Sequence, residues 1–181
     1  MHIDPEYSVC FTGHRPAALQ ELGFTERDVE FNIKELLRTA ILTMYHTYNI
    51  RTFITGGALG VDQWAAEEVH DIRETFSDIK SIIARPFPSQ HIKWPPHIQK
   101  KFHQLCEAAD DIVDVNPDPY AAWKMHARNA WMVNNSSFVI AVHIDGKNTG
   151  GTYACLQYAE RKNVRIYYID PMRPGAVRIS D

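Results

Sequence analysis

Six short apolar runs recur along the chain, at 7–12, 51–55, 79–84, 111–115, 137–142 and 165–169, each bounded by turn-forming residues. Several are nearly continuous in hydrophobicity rather than alternating, the pattern of strands covered on both faces. The polar stretches between them carry a different period. Phe31, Ile33, Leu36, Leu37, Ala40, Ile41, Met44 and Tyr48 follow three- and four-residue spacing, which predicts an amphipathic helix. Val61, Trp64, Ala65, Val69 and Ile72 repeat it over 61–76, and Ile98, Phe102, Leu105 and Cys106 mark a third helix. Segments 120–133 and 152–161 supply two more. Strands alternating with helices predict right-handed βαβ crossovers and a largely parallel sheet. The expected fold is α/β, a Rossmann-like three-layer sandwich with a mostly parallel central sheet. One segment breaks the rhythm: 85–97 holds Pro86, Pro88, Pro95 and Pro96 around Phe87, Gln90 and Trp94. Proline disfavours a regular helix or central strand, so an ordered loop is expected there, on the side where parallel sheets bind ligands.

The 181 residues, 45% hydrophobic and 23% charged, fit one domain over 1–181. A core of that size needs no disulfide or structural metal. The formal charge of −3, without a run of like charges, gives no general attraction to a phosphate backbone. Nucleic acid is therefore not an expected partner. Cys10, Cys106 and Cys155 are odd in number and form no CxxC pair, which suggests free thiols in a reducing compartment. Residues 1–7 are polar, with Asp4 and Glu6, unlike a signal peptide. No apolar stretch approaches the ~20 residues of a membrane span, so no membrane association is expected and the location expected by elimination is cytoplasmic.

Three glycine-bearing turns follow predicted strands. They are Thr12-Gly13-His14-Arg15-Pro16; Thr55-Gly56-Gly57-Ala58-Leu59-Gly60-Val61-Asp62; and Asp145-Gly146-Lys147-Asn148-Thr149-Gly150-Gly151-Thr152. Glycine lets backbone approach an anion closely, and a helix N-terminus offers free N–H groups and a positive dipole end. None reads as a P-loop or as GxGxxG, and a single such turn is often purely geometric. All three fall at C-terminal strand ends, where a parallel sheet has its crevice.

These turns resemble the SLOG superfamily, and within it the YpsA-like family. Further matching stretches are Trp64, Ala65 and Glu67; Pro86-Phe87 with Gln90 and Trp94; Ala109-Asp110; Pro119-Tyr120; Arg128-Asn129 with Met132-Val133; and Gly150-Gly151-Thr152. The resemblance spans nearly the whole chain. It implies a Rossmann-like fold that binds nucleotides or their derivatives, ADP-ribose- and NAD-related molecules among them, and self-association as a homodimer. It also implies a distant relation to DprA-type DNA-processing proteins and to the lonely-guy phosphoribohydrolases. The motif PGGxGTxxE of the latter ends in a glutamate that supports N-glycosidic cleavage; Cys155 stands at that place, which puts such hydrolysis in doubt. Asn134 likewise replaces an aspartate common in the YpsA-like MVD stretch.

Arg15 and Arg128 have the guanidinium forks that match phosphate, although either could pair with a carboxylate instead. His14 could contact phosphate or act as acid or base, or simply cap its turn. Asp62 could accept a ribose hydroxyl, or merely favour a helix start. Phe87 and Trp94 could stack on a base whose edge Gln90 reads, or pin the loop. His91, His97 and His103 match no metal-ligand spacing, and Lys93, Lys100 and Lys101 crowd them, so no metal is expected.

The reading carried forward is binding of a nucleotide derivative, with no cofactor required. Its candidate contacts are Thr12, Gly13, His14, Arg15, Thr55, Gly56, Gly57, Gly60, Asp62, Phe87, Gln90, Trp94, Arg128, Asn129, Gly150, Gly151 and Thr152. The alternative is a nucleotide N-glycosidase in which His14, Asp62 or Glu67 replaces the absent carboxylate. A third reading is single-stranded DNA binding through Lys93, Lys100, Lys101 and Lys124.

Overall fold

The computed structural model describes residues 2–15, 17, 26–171, 173 and 177–180. The six apolar runs become strands β1 (Ser8–Gly13), β2 (Thr52–Thr55), β3 (Lys80–Arg85), β4 (Asp111–Asp114), β5 (Phe138–Val142) and β6 (Arg165–Ile169). Helices α1 (Glu26–Tyr48), α2 (Val61–Arg73), α3 (Pro96–Ala108), α4 (Ala122–Asn134) and α5 (Gly150–Arg161) lie between them. The strands form one sheet in the order β4-β3-β2-β1-β5-β6-β7, parallel throughout except for β7 (Val177–Ile179), which pairs antiparallel with β6.

Both faces of the sheet are covered, which is why its central strands lack polar alternation. Phe11, Phe53, Phe138 and Ile140 point to one side, against Leu37, Ile41 and Met44 of α1 and Trp64, Ala65 and Val69 of α2. Their neighbours Cys10, Ile54, Val139 and Ala141 point to the other, against Met132 and Val133 of α4 and Leu156 and Ala159 of α5. Phe11, Phe53 and Phe138 are almost fully buried, and each such side chain is worth about 1.5–3 kcal/mol of transfer free energy. The result is the three-layer α/β sandwich that the pattern predicts. α3 packs beside α2 through Phe102 and Leu105, which meet Ala66 and Ile83.

Three local features differ from expectation. Tyr7 ends a short 3₁₀ turn, Pro5–Tyr7, capped by the Asp4 carboxylate, so β1 begins at Ser8. α3 starts at Pro96, inside the segment expected to be a loop; proline is tolerated in a helix's first turn because the missing N–H has no partner there in any case. β7 is short and exposed along its whole length, leaving no burial pattern to read.

The topology fixes where the crevice lies. From β1 the chain builds outward through β2, β3 and β4, then returns to place β5 on the other side of β1. Connections therefore diverge from the C-terminal ends of β1 and β5, where Gly13 pairs with Val142, and this is the switch point at which open parallel sheets bind ligands. Among the described residues, no helix is long and apolar enough to cross a membrane.

Candidate ligand-binding site

At that switch point a cavity of about 680 Å³ opens. Its walls are the turn after β1 (Thr12, Gly13, His14, Arg15), the β2–α2 turn (Ala58, Leu59, Asp62), one face of α4, and the β5–α5 loop with the start of α5 (Lys147, Thr149, Gly150, Gly151, Thr152). All three glycine turns thus reach one rim. Pro16, which ends the first motif, lies outside the described residues.

The glycines serve different purposes. A Cβ on Gly13 would stand 2.5–2.7 Å from the Val61 side chain, so only glycine lets the start of α2 sit on β1. Gly60 precedes α2 at φ +89°, and Gly150 opens α5 at φ +87°, a backbone region that favours glycine. No side chain caps α5 at Thr149, so N–H groups of its first turn are left to the cavity. Gly151 has open space where a Cβ would be.

Arg128 and Asp62 border the cavity, yet both are buried and engaged with the protein. Arg128 donates to the Gly56 carbonyl, and to the Ala84 carbonyl at 3.3 Å, while its Nε meets Asn129 Oδ1 at 2.9 Å. Its Nη1 stands 3.8 Å from Asp62 Oδ2, which also accepts the Ala58 N–H at 3.2 Å. Burial raises the Asp62 carboxyl above its usual range, opposed by Arg128 and by backbone donors. The guanidinium expected to clasp phosphate is thus committed to tying α4 to the ends of β2 and β3. Asp62, expected to meet a ribose hydroxyl, is spent largely on Arg128 and Ala58.

His14 is 6% exposed and its Nε2 has no hydrogen-bond partner. Its ring lies against that of His143, centroids 5.3 Å apart, and His143 Nε2 is held by the Lys147 carbonyl at 3.1 Å. Burial, then His143 and Lys147, lower the His14 pKa to about 4. Cys155 does not line the cavity: it is buried in the core, with burial pushing its thiol up to about 11 and Thr12 acting against that.

A second cavity of about 610 Å³ adjoins the first, sharing Arg15, Ala58, Leu59, Tyr120 and Met125 with it. Phe87, Trp94, Gln90 and Pro119 form the rest of its apolar wall, with Ser89, Ile92 and Lys93. Phe87 and Trp94 are not free aromatics on an exposed loop. Phe87 is buried against the edge of Tyr120, centroids 5.8 Å apart, and Trp94 packs edge-on to Phe102 at 5.3 Å. Gln90 Nε2 donates weakly to the Gly56 carbonyl at 3.4 Å. The exposed aromatic of this wall is Tyr120. Two loops are tied together around it: the Ser89 N–H and hydroxyl both donate to Asp118 Oδ1, at 3.0 and 2.5 Å, and Lys124 donates to the Pro117 and Pro119 carbonyls at 2.6 Å each.

Other expected contacts lie off the cavities. Gly56 and Gly57 are packing positions, since a Cβ would strike Arg128 at the first and Phe102 at the second. Thr55 is buried with its hydroxyl unpartnered. Glu67 is outside the rim altogether, paired with Lys34 at 2.9 Å and Lys101 at 2.5 Å between α1, α2 and α3. Asn134 accepts from the Tyr158 hydroxyl at 3.1 Å, also away from the rim. His91 and His103 meet edge-on beside Phe102, and among the described residues no three His, Cys, Asp or Glu side chains gather as metal ligands. The α4 face formed by Ala122, Met125, His126 and Asn129 was not among the sequence candidates apart from Asn129. Its signal is the three- and four-residue spacing of those positions.

Layer order, switch-point cavity and glycine turns together define a Rossmann-like α/β protein with its candidate site at the switch point. A model of the YspA SLOG family matches residues 9–173, and the chain belongs to that family. The SPbeta prophage-derived protein YoqJ of Bacillus subtilis (strain 168) is 34% identical over 140 residues, covering 71% of this chain and 81% of that protein. The UPF0398 protein YpsA of the same organism is 23% identical over 168 residues, covering 89% and 91%. Among solved structures, DNA processing protein A from Helicobacter pylori, which binds single-stranded DNA, superposes with a TM-score of 0.60 at 19% identity, over 92% of this chain and 66% of that one. The corresponding protein from Streptococcus pneumoniae gives 0.58 at 12% identity, over 90% and 50%. The chain thus spans about two thirds and one half of these two structures, and the likeness is one of fold.

Proposed function

We propose that the protein binds a nucleotide derivative across the two adjoining cavities, phosphates in the polar one and base in the apolar one. The observation that carries this reading is their junction. The more polar cavity, edged by the uncapped start of α5, Arg15 and Lys147, shares walls at Arg15, Leu59 and Tyr120 with a more apolar one walled by Phe87, Trp94 and Tyr120. Helix N-termini and guanidinium groups suit phosphate, and aromatic faces suit a base. An ADP-ribose- or NAD-related molecule has both parts.

Binding without turnover is the form of this function that the side chains favour. The carboxylate bordering the polar cavity, Asp62, is buried beside Arg128; Glu67 is held in ion pairs elsewhere; and a buried thiol stands where the phosphoribohydrolases have their glutamate. Calorimetric titration with ADP-ribose, NAD and cyclic nucleotide derivatives tests the reading, and no detectable binding across that panel would overturn it. Chromatography of the same mixtures for released base separates binding from N-glycosidic cleavage.

Single-stranded DNA is a second reading, favoured by the fold likeness to a DNA processing protein that binds it. Stacking beside a phosphate site is also the chemistry single strands use. Salt-dependent binding of an oligothymidylate, without measurable affinity for free nucleotides, would select it.

A further inference from the structure

We infer that His14 determines which anions the rim holds, by taking up a proton when an anion enters the polar cavity. The inference rests on the reading of this cavity as a phosphate site and adds a property to it. His14 lines the cavity at the end of β1, is more than nine-tenths buried, and leaves Nε2 without a partner. A buried imidazole nitrogen with no partner is costly, and the ring that carries it borders the cavity.

The surroundings decide its charge. From the β5–α5 segment His143 and Lys147 face it; Arg15 follows it on its own turn; Asp62 of α2, and Arg128 and His126 of α4, border the same cavity. Arg128 and Asp62 stand against each other, so they largely offset one another. What remains is burial, with His143 and then Lys147 adding to it, which keeps the imidazole neutral, with a pKa of about 4. An anion seated at the start of α5 reverses this local balance, because an opposite charge within about 4–6 Å favours the charged imidazole.

The sign follows from linkage. Between about pH 4 and the raised pKa of the occupied site, the bound state holds a proton the free state lacks. Affinity therefore falls as pH rises through that window, by at most about tenfold per unit for one proton. Below it both states are protonated and the dependence vanishes. An anion with more charge near His14 raises its pKa further, so the site favours ligands of higher local charge.

Two probes whose charge is fixed between about pH 5 and 8 are suited to the test: inorganic sulfate, and ADP-ribose, whose linked diphosphate does not titrate there. Calorimetry at about pH 6 in two buffers of different ionisation enthalpy reads the protons taken up. Measurable uptake of up to one proton per site with either probe, abolished in His14→Gln, is expected. Binding of both probes without uptake overturns the inference and leaves the nucleotide reading standing. Coupled uptake with sulfate but no binding of ADP-ribose leaves the inference standing and sinks the nucleotide reading; no binding of either sinks both. Uptake that persists in His14→Gln belongs to another group and overturns the assignment. Should that variant fail to fold, imidazole ¹⁵N shifts of the unaltered protein replace it. The His14 midpoint moves up under saturating sulfate if the inference holds, and stays in place if it does not.

Discussion

Arg128 Nη1 stands 3.8 Å from Asp62 Oδ2, and the pair joins α4 to the start of α2 beneath the rim. The guanidinium also satisfies the Gly56 and Ala84 carbonyls, so its removal strands an anion and two acceptors together. Arg128→Met should destabilise the protein by about 3–5 kcal/mol, the cost of breaking a buried pair from one side. The double variant Arg128→Met, Asp62→Asn should recover part of that loss, because no unpaired charge remains. Urea unfolding measures both. A double variant no more stable than the single would show that the carboxylate is not the group left stranded.

Gly13 and Gly151 separate packing from binding. Gly13→Ala drives a methyl group to within 2.7 Å of Val61, an overpacking that costs about 1–3 kcal/mol. Gly151 lies in the first turn of α5 with nothing within 4 Å of its absent Cβ. Gly151→Ala should leave stability unchanged or raise it by up to about 1 kcal/mol, as alanine does in helices. The same methyl group borders the polar cavity, so affinity for ADP-ribose should fall. Equal loss of stability in the two variants would contradict this division.

The architecture was readable because burial on both faces of the sheet wrote itself into nearly continuous apolar runs, and because amphipathic periods separated them. The convergence of the glycine turns was readable too, since parallel topology forces C-terminal strand ends to one side. Partners were not. Nothing in the spacing of Arg128 says that its guanidinium reaches back to Gly56 and Ala84 rather than outward, because those contacts are 72 and 44 residues away in sequence. Glu67 shows the same limit: it is close to the glycine turn along the chain, but five residues beyond Asp62, on another side of α2, its side chain faces Lys34 and Lys101 instead of the rim. Phe87 and Trp94 lie next to prolines, which mark a loop but not its packing; Phe102 of α3 gives Trp94 a surface to pack on.

Glu67 accordingly offers a clean control. Its two lysine partners are partly exposed, and ion pairs of that kind are worth about 1 kcal/mol or less apiece. Glu67→Gln should lower stability slightly and leave nucleotide affinity as it was. A large drop in affinity, measured by the same calorimetry, would return Glu67 to the site.

Phe87 and Tyr120 meet edge to face at 5.8 Å but differ in exposure, 4% against 63%. Phe87→Ala should therefore cost about 3–5 kcal/mol of stability through the void it leaves. Tyr120→Ala removes little buried surface and should cost well under that. Both residues wall the apolar cavity, so Tyr120→Ala isolates the effect on binding. A several-fold weaker affinity in a protein of nearly unchanged stability is the expected result. Unaltered affinity would place the ligand's base elsewhere.

Acid stability gives a last test, independent of any ligand. His14 and His70 both have pKa values lowered by burial, His14 to about 4, with His143 and Arg73 respectively adding to the effect. In the unfolded chain each would titrate near its ordinary value of about 6.5. As pH falls through 6.5, the unfolded chain binds protons that the folded one refuses, so stability drops with each step toward pH 4 and levels off for His14 below it. His14→Gln removes one of these titrations. Its unfolding free energy should fall less steeply between about pH 6.5 and 4.5 than that of the unaltered protein, whatever the absolute stability of the variant. Parallel slopes would mean that His14 is not held neutral in the folded state, and the proton uptake inferred for anion binding would lose its starting point.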